Sequence, residues 1–134
     1  MKNLKNIMNA KNNFNFFYPQ IIELLRLLAS PFEVQISVFP KNECPPDEIA
    51  DEIDYKCSVA KTLFDEGFFS LIQYESIKHI DEEFTTFLKE DWTYEAMEKS
   101  LKWEHIRKLA IKSLEEFKVD YSKPNLYWYP LISL

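Results

Sequence analysis

The chain has 134 residues, 46% of them hydrophobic and 28% charged, with one glycine, seven prolines and a net charge of −6. That length supports a single domain with a real core, and the hydrophobic content argues against disorder. A single glycine leaves too few tight turns for an all-β fold and cannot build a phosphate loop or a dinucleotide fingerprint.

The charge is unevenly spread. Residues 43–98 hold 16 acidic side chains against four lysines, and the rest of the chain holds 12 Lys and Arg against six acids. The acidic middle disfavours nucleic acid as a partner and favours a basic protein surface. No run reaches the ~18 apolar residues of a membrane span. The first nine residues lack the apolar core of a signal peptide, and two cysteines do not make a disulfide framework. A cytoplasmic protein with no membrane partner is expected.

Residues 1–15 are rich in Asn and Lys, with weak helical spacing at Leu4, Ile7 and Met8. They read as a flexible or partly helical leader, ahead of a single helical domain over 16–134. From Pro19 to Ala29 the sequence is helical and apolar nearly all round, with Ile21, Leu24, Leu25 and Leu28 facing the core and Glu23 and Arg26 interrupting. Residues 31–39 conflict. Val34, Ile36 and Val38 alternate as in a strand, yet Ser30 followed by Pro31 is a helix start, with Ser30 as cap. A lone strand has nothing to pair with, so a short helix is favoured.

The clearest amphipathic helix runs from Pro46 to Gly67. Ala50, Ile53, Cys57, Ala60 and Phe64 share its core face. Asp47 and Glu48 suit the first turn, and Gly67 suits the left-handed position past the end. At ~100° per residue, Glu48, Asp51, Glu52, Tyr55, Val59, Thr62 and Glu66 fall opposite the core. A merely solvated face does not need Tyr55 and Val59. The candidate partner-binding residues are therefore Glu48, Asp51, Glu52, Tyr55, Val59 and Glu66.

Ser70 and Gln73 have capping-box spacing, Phe69 is placed to staple onto Tyr74, and the helix they open runs through Ile77, Ile80, Phe84, Phe87 and Leu88 to about Lys89. Thr93 caps a further helix, with Trp92 placed to pack on Met97, and a break falls near Ser100. Trp103, Ile106, Leu109, Ala110, Leu114 and Phe117 define a last core face, with Arg107, Lys108 and Lys112 on its exposed, basic side. The aromatic tail from Val119 to Leu134 is broken by Pro124 and Pro130 and is expected to dock irregularly across the helices. The fold expected is all-α, a compact bundle of four to six helices with that tail packed on it.

Catalytic patterns are missing. His79 and His105 lack a Glu three residues earlier, so no di-iron bundle motif exists. Glu75, His79 and Glu83 share a stripe, which a solvated face explains better than a metal does. Cys57 lies on a core face, and nothing near Cys44 lowers its pKa. Asp81-Glu82-Glu83 reads as a solvated acidic run. No metal, cofactor or enzymatic activity is expected.

Two segments carry a family resemblance. Phe39-Pro40 followed by Pro46-Asp47-Glu48-Ile49-Ala50 is similar to a "FP…PDELA" pattern. Trp92 to Ala110 is similar to a "WTEEAL…S.eWeeiRklA" pattern. Together they resemble small bacterial toxin-immunity proteins, including those of contact-dependent growth inhibition systems, over about residues 20–118. The resemblance implies a cytoplasmic protein that binds a cognate toxin domain and blocks its active site. A basic nuclease toxin would suit the acidic middle of the chain. The alternative is a structural or regulatory helical subunit that binds its partner through the aromatic tail.

Overall fold

The computed structural model describes residues 4–39 and 44–129, and among these every regular element is helical. The first helix, α1, runs without a break from Leu4 to Ala29. A helix start at Pro19 is thus corrected: the helix already includes residues from Leu4 on. Pro19 lies inside α1, where it removes one backbone donor. Both Pro19 and Asn15, whose carbonyl loses its partner, are exposed, so water can fill the gap. The second half of α1 is the centre of the core: Ile21, Leu24, Leu25, Leu27 and Leu28 are all but inaccessible.

The 31–39 segment resolves as a helix, α2, Phe32–Ser37. Ser30 does not cap it. Its hydroxyl donates to the Arg26 carbonyl at 2.7 Å and lies 2.8 Å from the Tyr121 hydroxyl. The buried Gln35 instead closes the end of α1, its Nε2 donating to the carbonyls of Leu27 and Leu28, both at 3.2 Å. The Leu27 carbonyl also takes the Ser30 N–H at 3.1 Å, and the side-chain amide stands in for the next turn's donors at both carbonyls.

Helix α3 spans Pro45–Asp65 and closes with a Schellman motif. Phe68 N donates to Leu63 O at 2.9 Å and Gly67 N to Phe64 O at 3.0 Å, with Gly67 at φ 87°. Its buried side is rotated from the expected one. Ile49, Ile53, Lys56, Cys57, Ala60 and Leu63 are buried, while Ala50 and Phe64 are half-buried.

Helix α4, Leu71–Phe84, opens on the expected capping box, with both Ser70–Gln73 hydrogen bonds formed. Tyr74 stacks on Phe64 of α3, with ring centroids 5.6 Å apart. The helix stops before Phe87 and Leu88. The hydroxyls of Thr85 and Thr86 bond back to the Glu82 and Glu83 carbonyls, a local competition that suits a helix end. A 3-10 turn at Lys89–Trp92 follows, then α5, Tyr94–Lys99, capped by Thr93, and α6, Leu101–Glu116, capped by Ser100. Trp92 packs on Phe84 and Phe87.

Helix α1 lies against α6 and α3, and α4 bridges α3 and α6. Among the described residues no helix is long and apolar enough to cross a membrane. Arg107 is not a solvated basic residue. Its guanidinium is half-buried and donates to Ser30 O at 3.1 Å, to Gln35 Oε1 at 2.9 Å and to the Met97 carbonyl. Burial lowers its pKa, and the facing carboxylates of Glu104 and Glu33 work the other way.

The described part of the tail packs on the helices. Arg26 grips the Asp120 carbonyl through Nε and Nη2, and Asn125 N donates to Glu23 Oε1 at 2.9 Å. Leu126 and Tyr129 join the core, Tyr129 edge-on to Phe39. Pro130, Leu131, Ile132 and Leu134 lie outside the described residues.

Candidate protein-interaction face

The outer side of α3 begins at Pro45-Pro46, which seat its first turn, and carries Asp47, Glu48, Asp51, Glu52 and Asp54 within two turns. The candidate residues divide into three groups. Asp51 and Tyr55 stand together in solvent, four residues apart and hence side by side on the helix. Tyr55 is 52% exposed. Burial raises the Asp51 carboxyl above its usual range, and so do Glu48, Asp47, Asp54 and Glu52 around it.

Glu48 and Glu52 are half-buried and already engaged. Glu48 Oε2 accepts the Tyr129 hydroxyl at 2.7 Å, and Glu52 Oε2 pairs with Lys56 Nζ at 3.1 Å. Val59 and Glu66 stand apart. Val59 is half-buried and packs on the core. Glu66 is the C-cap of α3, about 16 Å along the axis from Tyr55 at 1.5 Å per residue. It faces Asn6, Asn9 and Asn13 of α1, and its buried Oε2 has no hydrogen-bond partner among the described residues. Of the six candidates, Asp51 and Tyr55 thus form the exposed patch, with Glu48 and Glu52 as flanking carboxylates and Val59 and Glu66 apart from it.

Lys56 was not among the candidates, yet it organises the patch. Only 2% exposed, its ammonium lies 4.9 Å from the Tyr55 ring centroid and 5.6 Å from that of Trp128. A string of ring contacts continues on both sides. Phe17 meets Tyr55 at 6.3 Å, Phe16 meets Phe17 at 4.9 Å, and Tyr127 meets Trp128 at 5.4 Å. Phe16 is 62% exposed and Tyr127 60%. The surface thus alternates aromatic faces with carboxylates, drawn from α1, α3 and the tail. Only the pairing of Phe16 and Phe17 within a polar, Asn-rich stretch hints at this in the sequence.

The other candidate chemistries are dispersed. Glu83 turns from the His79 stripe toward His105, with Oε2 and Nε2 3.9 Å apart. Among the described residues no three His, Cys, Asp or Glu converge as a metal site. The reading of Asp81 as solvated is corrected. It is half-buried, and burial, the Asp54 charge and a hydrogen bond with Asp54 of α3 together raise its carboxyl pKa. Burial pushes the Cys57 thiol up to about 11, and the exposed Cys44 is raised by desolvation and by Asp47. Both shifts disfavour the thiolate, the nucleophilic form. A groove of about 230 Å³ between α4 and α6 is lined by Ile72, Ser76, His79, Leu109 and Lys112 among others. Comparison with protein-family models, with curated proteins and with solved structures finds no match to this chain.

Proposed function

We propose that this chain is a non-enzymatic immunity protein, which binds a cognate toxin domain in the cytoplasm through the acidic outer side of α3. The observation that carries the reading is a concentration of negative charge with no ion pair to neutralise it. Among the described residues no ion pair neutralises Asp47, Asp51 or Asp54, and Lys56 on the same helix is buried and engaged by Glu52. Such a surface attracts a cationic partner and speeds its arrival. A nuclease domain must be basic where it holds a phosphate backbone, so an inhibitor with this surface competes for the same place. The resemblance of the 39–50 and 92–110 segments to toxin-immunity proteins points the same way.

The test is co-expression with the toxin domain encoded beside the gene. Protection of the host cell, with a complex that weakens as salt is raised, is expected. Failure to protect overturns the immunity reading, and salt-independent binding overturns the acidic-face mechanism. The exposed Tyr127 favours a second reading, in which the tail is the partner-binding element of a structural or regulatory subunit. Because Leu126 and Tyr129 belong to the core, deleting the tail would confuse folding with binding. Tyr127→Ala separates the two.

A further inference from the structure

We propose that Tyr55, Asp51 and Phe16 form a receptor for an arginine side chain of a basic protein partner, the guanidinium stacking on Tyr55 while it pairs with Asp51. This rests on the acidic-face reading and gives that face a specific recognition chemistry.

Three observations carry it. Position sets a carboxylate beside a ring: Asp51 and Tyr55 are four apart on α3, both exposed. Phe17 meets the Tyr55 ring edge-on at 6.3 Å and the exposed Phe16 meets Phe17 at 4.9 Å, which carries aromatic surface from the ring onto α1. The protein itself supplies a precedent. Lys56 sits against the same Tyr55 ring while paired with Glu52, so a cation here gains ring and carboxylate together.

The residual charge then calls for a second cation. Glu52 is taken by Lys56 and Glu48 by the Tyr129 hydroxyl, which leaves Asp51 as the carboxylate available next to the ring. Arginine suits this place better than lysine. Its guanidinium is planar, more weakly hydrated than an ammonium, and able to stack and donate in its own plane at once. A lysine would satisfy the charge while making less of the ring.

The experiment titrates the ¹⁵N-labelled full chain at low salt with a nine-arginine peptide and, separately, with a nine-lysine peptide of equal charge. The arginine peptide should bind roughly two- to five-fold more tightly, with the largest shifts at Phe16, Asp51 and Tyr55. Tyr55→Leu should bring the ratio to unity while charge-driven binding persists, and Asp51→Asn should weaken both peptides. A dispersed spectrum of each variant controls for folding, and Phe16→Leu offers a second route to the same loss of preference. Equal affinity for the two peptides, or shifts centred on Glu82 and Glu83 of α4, overturns the receptor. Protection of cells judges the immunity reading separately. Protection without arginine preference removes the receptor alone, and preference without protection removes the immunity reading alone.

Discussion

Two regions of this molecule use polar side chains in opposite ways. At the corner where the 3-10 turn, α5 and α6 meet, the charged and hydrogen-bonding groups are tied to one another. Trp103 Nε1 donates to the Asp91 carbonyl at 2.8 Å, and Lys102 Nζ bonds Asp91 Oδ2 at 2.8 Å and the Thr86 carbonyl at 3.2 Å. Arg107 reaches from α6 to Ser30, Gln35 and Met97, and Gln35 in turn closes α1. On the outer side of α3 the carboxylates repel one another and large rings stay open to water. The first arrangement fixes a fold, since each buried donor has an acceptor. The second ties nothing together in this way, and on the proposed reading it is where a cationic partner would bind. Charge at the surface therefore says little by itself; whether it already has a partner separates scaffold from interface.

The comparison breaks first at the corner. Trp103→Ala removes a fully buried indole that packs on Phe84 and Phe87 and strips the Asp91 carbonyl of its donor. A loss of about 3–5 kcal/mol is expected in urea unfolding. Arg107→Ala comes next. It leaves two backbone carbonyls and the Gln35 side-chain oxygen short of a donor, at a cost of about 2–3 kcal/mol. Arg107→Lys should recover only part of that, since one ammonium cannot match the fork across α2, α5 and the α1–α2 junction. If Arg107→Ala is as well tolerated as a surface change, the corner is not a scaffold and the contrast fails.

How far the sequence could show this difference depends on distance along the chain. The helices were legible because their signals are local: the Ser70–Gln73 box, the Thr93 cap, the break near Ser100, and the three-and-four spacing of Ile77, Ile80 and Phe84. Contacts across the chain were not. Arg107 looked solvated because its α6 neighbours are, and its acceptors lie 77, 72 and 10 residues away. Lys56 was invisible for the same reason, since Trp128 comes from the far end of the chain. The core face of α3 was placed near its true position but rotated, because a spacing rule gives small residues such as Ala50 the weight of Ile49 and Leu63. The candidate face was legible at Asp51 and Tyr55, where helix position alone decides. Legibility stops at Glu48 and Glu66, whose neighbours in the tail and α1 lie far along the chain.

Two substitutions sharpen the contrast from the α3 side, with smaller effects on stability. Tyr55→Ala removes a ring that is more than half exposed, so unfolding should change by less than about 1 kcal/mol, while binding of a cationic partner falls clearly. Thermal melting and a binding titration on one preparation check both. A large drop in melting temperature would place Tyr55 with the scaffold. The smallest effect belongs to Asp81→Asn, and its sign is opposite. Asp81 is half-buried beside Asp54, and its folded-state pKa is raised, first by burial and then by that neighbour. A raised carboxyl pKa means the ionised form is less favourable in the folded state than in the unfolded chain. The penalty is fully present at neutral pH and disappears as pH falls through the folded pKa, where Asp81 takes up a proton and donates to Asp54. Asn at this position has no such penalty. The variant should melt slightly higher than the parent at pH 7, and the gap should close as the pH approaches the ordinary carboxylate range. A variant that melts lower at pH 7 would mean that Asp81, like Asp91, is already held by a favourable partner, and the boundary between the two regions would then run along α3 itself.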